Sequence, residues 1–152
     1  MTDIASNPHR LPSSVVPSHY RIKLEPNLEQ ATFIGSVEIE VEVNQPTDTI
    51  QLNAADLVIQ SAGVVDSVGS NTEACGIVLD AEMERLTVSF DSQIFPGPHT
   101  IVAEFTGVLN DQLHGFYRST FKDDDGVDHT IATTQFESTH ARRAFPCFDE
   151  PA

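Results

Sequence analysis

SVEIEVEV, residues 36–43, decides the fold class. Val37, Ile39, Val41 and Val43 alternate with Glu38, Glu40 and Glu42. A period of two sends four apolar side chains to one face and three carboxylates to the other, the pattern of a half-buried β-strand. Upstream, YRIKLE (20–25) repeats it, with Tyr20, Ile22 and Leu24 opposite Arg21, Lys23 and Glu25. If the two strands are neighbours, the basic pair offsets the glutamates. PNLEQATFIG (26–35) lies between them, opens on Pro-Asn and closes on Gly35, and reads as a hairpin connection.

Downstream the same kind of run recurs: TIQLNA (49–54), LVIQSAGVV (57–65), GIVLD (76–80), RLTVSF (85–90), TIVAEFTGVL (100–109) and HTIATTQF (129–136). Turn-rich pieces such as FPGPH and DDDG separate them, and no stretch holds a helical period over three turns. Short strands at near-regular spacing predict an all-β, antiparallel β-sandwich. Residues 1–9 form a polar lead-in and residues 10–152 one domain, a length that suits a single core.

Eight Lys+Arg against 23 Asp+Glu give a formal net charge of −15. Such a surface repels phosphate backbones and anionic lipid, so neither nucleic acid nor a membrane is expected as a partner, while a cationic ligand is favoured. No apolar run is long enough for a signal segment or a span, which points to the cytoplasm. Cys75 and Cys147 are the only cysteines. Two reduced thiols are the default there, with a single disulfide left open.

The usual catalytic arrangements are missing. His9, His19, His99, His114, His129 and His140 include no H-E-x-x-H pair, the spacing that sets two imidazoles on one helix face. The cysteines form no C-x-x-C, and there is neither a G-x-S-x-G elbow nor a glycine-rich phosphate loop. DDDGVD (123–128) lacks the calcium-loop spacing and reads as a solvated hairpin tip.

Chemically dense residues gather in TQFESTHARRAFPCFDEPA (134–152). If a strand runs from Ile131 through Phe136, then Gln135 and Glu137 project from one face and Phe136 points into the core. An amide beside a carboxylate is a poor acid–base pair but suits a ligand, the carboxylate accepting from a cation and the amide bonding a polar neighbour. Ser138 or Thr139 can cap a short turn through HARRAF, which Pro146 ends. Arg142 and Arg143 are expected to pair locally with Asp149 and Glu150. His140 reads as solvent-facing or hydrogen-bonded, and Cys147 as a buried, inert thiol.

That stretch closely resembles one carried by the aminopeptidase N family of zinc metallopeptidases. RLPSSVVPSHYRIKLEPNLEQATFIGSVEIEVEV resembles the family's opening strands, TDTIQLNAADLVI the next, and HGFYRSTF its middle signature, so the resemblance runs from about Arg10 to Ala152. It implies an all-β N-terminal domain leaning on a separate, mostly helical zinc domain. Gln135 would line the pocket for the substrate's first side chain, and Glu137 would bind the free α-ammonium of a peptide N-terminus. G-x-M-E-N, H-E-x-x-H and the third zinc ligand are absent from these 152 residues. No catalytic or metal-binding residue is therefore assigned here, and zinc is expected in the catalytic domain. By the same resemblance the last strands of the β-domain would follow the DEPA segment.

The reading that results is the N-terminal, substrate-anchoring part of a zinc aminopeptidase, inactive by itself. Its partners would be peptide N-termini and the zinc domain, on the same polypeptide or on a separate chain. The alternative is a stand-alone, non-catalytic β-sandwich module that binds peptide termini or a protein partner.

Overall fold

A computed structural model describes residues 10–150, so the lead-in over residues 1–9 and residues 151–152 lie outside the described residues. Within them the chain forms ten strands and one 3-10 turn, with no α-helix. Strand β1 (Val15–Asn27), β2 (Thr32–Val43), β8 (Gly97–Val108), β4 (Leu57–Asp66) and β5 (Asn71–Glu73) lie side by side in that order in a five-stranded sheet. A three-stranded sheet has the order β3 (Thr47–Asn53), β7 (Arg85–Ile94), β6 (Gly76–Asp80). A separate hairpin joins β9 (Gly115–Lys122) to β10 (Asp128–Gln135). Every ladder is antiparallel, as the sequence leads one to expect.

The alternation read from residues 36–43 is the one that builds the core. Val37, Ile39, Val41 and Val43 are buried, while Glu38 and Glu42 are exposed. Ile50 and Leu52 of β3, Leu86, Val88 and Phe90 of β7, and Ile101, Ala103 and Phe105 of β8 join them in one cluster. The two larger sheets thus share a single core. Each fully buried aliphatic or aromatic side chain stabilises it by about 1.5–3 kcal/mol. Strands β1 and β2 are indeed neighbours, with Arg21 opposite Glu38. Arg21 reaches Glu38 and Glu40 at 3.4 and 2.9 Å, whereas Lys23 turns to Glu25 of its own strand.

Several strands run longer than the short pieces the pattern suggests: β1 has 13 residues, β2 and β8 have 12. Period two is visible only where one face is buried, and these strands continue beyond the core. Pro17 interrupts the expected polarity yet fits β1 because that strand is an edge, with a register shift between Pro17 and His19. The β1–β2 connection narrows accordingly to residues 28–31, where the Asn27 side chain accepts the Gln30 N–H at 3.0 Å. Gly97 to His99 of FPGPH likewise belong to β8. Strand β5 has three residues and no apolar alternation, and β9 carries mixed polarity, so neither stood out as a strand in the sequence.

Two cross-strand pairs lock β2 against β8. Phe33 lies opposite Gly107, and Gly35 opposite Phe105. A Cβ on Gly107 would come within 2.3 Å of the Phe33 ring, and one on Gly35 within 2.5 Å of Phe105. Each ring occupies the space its glycine leaves.

Tyr20 ties β1 to the C-terminal segment, its hydroxyl accepting the Phe148 N–H at 3.0 Å. Burial pushes that hydroxyl up to about 12; the Phe148 bond works against the shift, and Cys147 and Asp149 add to it. A raised value favours the neutral phenol in the folded state, so its stabilisation is complete below the ordinary tyrosine range and disappears as pH climbs through the folded value. In a Tyr117→Phe variant, phenolate absorbance is expected to follow Tyr20 alone, with a midpoint near 12. An ordinary midpoint, near 10, would refute the burial of this hydroxyl.

Candidate functional site

Strand β10 is paired along its length with β9 and stops at Gln135, which lies opposite Gly115. The strand ends one residue before the expected Phe136. Phe136 still turns inward, half-buried and edge-to-face on Phe145 at 5.8 Å, while Gln135 and Glu137 on either side of it are exposed. Glu137 opens a turn over residues 137–140, which the His140 N–H closes by donating to the Phe136 carbonyl at 2.9 Å. A 3-10 turn, Ala141–Arg143, follows with His140 in the capping position. No side chain caps it, so the expectation for Ser138 or Thr139 is corrected: both fall within the preceding turn at 137–140, and the capping position goes to His140. Pro146 lies just beyond the turn, and Cys147 bridges to Asn53 through N–H to carbonyl bonds of 2.8 and 3.0 Å.

The two arginines are fully committed. Arg142 grips Asp149 with Nε and Nη2, both at 3.0 Å, and donates Nη1 to Glu84 at 3.2 Å. Arg143 donates Nη2 to Glu84 at 2.8 Å, Nη1 to Asp56, and Nε to His140 Nδ1 at 3.3 Å. Asp149 also accepts from Asn53 at 2.8 Å. The expected Arg142–Asp149 pair is therefore present, but Arg143 reaches across the fold, and Glu150 accepts the Leu11 N–H at 2.8 Å rather than an arginine. Glu84, Asp56 and Asn53 escaped sequence reasoning because they lie 58 to 96 residues from their partners. Nothing local marks them.

His140 is hydrogen-bonded, and its ring stacks on His114 at 4.5 Å and 20°. Burial first, then His114 and the two arginines, lower its pKa despite Glu84, so the ring is neutral at pH 7 and accepts through Nδ1. Gly115 carries φ +71, and a Cβ there would meet Arg143 Cβ at 2.8 Å. The foot of Arg143 thus sits directly beside the glycine opposite Gln135. Neither Gln135 nor Glu137 has a side-chain partner among the described residues, in contrast to the arginines that follow them.

Elsewhere the tip of the β9–β10 hairpin is the solvated turn expected of DDDG. Asp123 accepts the Asp125 and Val127 N–H groups at 3.0 and 2.9 Å and bonds His129 at 2.7 Å, the last contact lowering the Asp123 pKa first. Both thiols are free. Cys147 is buried, and burial drives its pKa far up, which suits an inert thiol. Among the described residues no three His, Cys, Asp or Glu side chains are grouped to hold a metal, and no helix is long and apolar enough to cross a membrane. The described residues do not fit a zinc centre.

An all-β, antiparallel domain whose β10 strand runs into an exposed amide–carboxylate pair is thus defined, and it corresponds to a known class. Residues 16–152 match the Peptidase M1 N-terminal domain, and the chain belongs to that family. It is 39% identical over 142 residues to puromycin-sensitive aminopeptidase of Caenorhabditis elegans and 42% identical over 146 to mitochondrial aminopeptidase 2 of Saccharomyces cerevisiae; each match covers 93% of this chain and 15% of the relative. Against human endoplasmic reticulum aminopeptidase 1 the identity is 38% over 149 residues, covering 96% of this chain and 16% of the relative. The chain therefore spans about one-sixth of the length of these curated relatives.

Proposed function

We propose that this domain anchors the N-terminus of a peptide substrate for a zinc aminopeptidase, with Glu137 binding the α-ammonium and Gln135 lining the pocket for the first side chain. The metal and the hydrolytic groups would belong to a catalytic domain outside these 152 residues. One observation carries the reading: Glu137 is an exposed carboxylate with no partner among the described residues, six positions or fewer from two arginines that are both engaged elsewhere. A carboxylate in the turn just past β10 would select for a free cationic terminus and reject an internal peptide bond. The two free thiols suit a reducing compartment, and the cytoplasm is the location this reading takes.

The test is an amide-NMR titration of the 152-residue chain with leucine amide and with N-acetyl-leucine amide. Leucine amide is expected to shift the resonances around Phe136–Ser138 and the acetylated compound to leave them in place. Glu137→Gln should weaken binding about tenfold, the loss of one charge-assisted hydrogen bond. Equal responses to the two compounds would refute the assignment.

A further inference from the structure

We infer that Glu84, in the turn before β7, is a positioning residue that keeps Arg143 away from Glu137 and so leaves Glu137 open to a substrate amine. The inference rests on the amine-binding reading of Glu137. All six guanidinium nitrogens of Arg142 and Arg143 have an acceptor: Asp149, Glu84, Asp56 or His140. Glu84 is the only one of these to bond both arginines, one carboxylate oxygen to each. Three carboxylates against two guanidinium groups leave the cluster net anionic, which favours a cation nearby.

Arg143 is the cation best placed to compete. Its Cβ lies against Gly115, directly opposite Gln135 in the hairpin register, and its Nε already holds His140, the last residue of the turn that Glu137 opens. With Glu84 neutralised, Arg143 keeps only the exposed Asp56 as a charged partner. Once released, this long cationic side chain is free to seek another carboxylate, and the turn whose last residue it already bonds begins with the unpaired Glu137. The amine would then have to displace an internal guanidinium. Arg142 is a weaker competitor, because its bidentate grip on Asp149 survives.

The experiment uses the 152-residue chain and leucine amide, read by NMR. Glu84→Gln is expected to weaken leucine amide binding about tenfold, comparable to losing the Glu137 charge itself. Adding Arg143→Met should restore the affinity to within about twofold of the parent, because the competitor has gone. A merely structural role predicts the reverse, since removing a second member of the cluster would deepen the loss. Asp56→Asn, at a solvent-exposed carboxylate, should move the affinity in the same direction by a smaller factor. The Arg143 Nε–H resonance supplies a readout that needs no ligand. In the Glu84→Gln background it should respond to Glu137→Gln, and in the parent it should not. Unchanged affinity in Glu84→Gln, no rescue by Arg143→Met, or an Arg143 resonance indifferent to Glu137 would each overturn the inference. Failure of the parent chain to bind leucine amide would instead sink the amine-binding reading, with the resonance experiment still deciding the role of Glu84.

Discussion

Phe33→Ala is expected to cost about 3–5 kcal/mol, the range for truncating a buried aromatic. Phe33 is 1% exposed, fills the space over Gly107, and packs edge-to-face on Phe116 of β9 at 5.1 Å and 71°. Truncation would empty the region between the five-stranded sheet and the β9–β10 hairpin. The residue directly opposite is a glycine and supplies no side chain to refill it. For a chain of this size the loss should lower the thermal midpoint by roughly 6–20 °C. Calorimetry of the variant checks it, and a shift of only a degree or two would show that the ring is not part of the core. The expected damage reaches the Gln135 end of the hairpin as well, since Phe116 of β9 lies next to Gly115, which pairs with Gln135.

Arg142→Met is the second large effect, about 3 kcal/mol, because it leaves Asp149 and Glu84 short of a cation in a poorly solvated place. The Arg142 and Asp149 side chains are only 14% and 13% exposed. Burial works against the charge, but the bonds from Asp149 and the field of Asp149 and Glu84 outweigh it and raise the guanidinium pKa. A raised value means that the charged form is the one the fold stabilises, fully below the unfolded-state value and lost only as pH rises through the folded one. Both lie far above neutrality, so the arginine's own contribution should not change between about pH 6 and about pH 9. Urea unfolding of the parent and variant at both ends of that range measures this. A difference that shrinks at the alkaline end would contradict the pairing.

How far the sequence could be read follows from which signals are local. Val37 to Val43 alternate because one face is buried along that whole stretch, so β2 and the all-β class were plain. GIVLD coincides with β6 from end to end, although Val78 between the half-buried Ile77 and Leu79 is exposed. The ends of β1 could not be seen, because an edge strand alternates only where something covers it, and Ile22 on the expected apolar face is 42% exposed. At the candidate site the inward Phe136 between outward Gln135 and Glu137 was legible from period two alone. The resemblance supplied the family, and the M1 N-terminal domain match supports it. The partners of Arg143 were not legible, since Asp56 and Glu84 join it only through the folding of β4 and the β6–β7 turn around the segment.

The C-terminal segment is fastened by contacts that reach back almost the full length of the chain: Glu150 to Leu11, Phe148 to Tyr20, Asp149 to Asn53. Such closures are late events, because their loop entropy is repaid only after the intervening strands have formed. The segment after the 137–140 turn can therefore dock only once β1 and β3 are in place and the chain has emerged past residue 150. A nascent chain or an early intermediate would expose the hairpin before Arg142 and Arg143 have reached Glu84 and Asp149. On the proposed amine-binding role, the ability to hold an amine would arrive with that late docking, and occupancy at Glu137 would then report on completed folding as well as on a ligand.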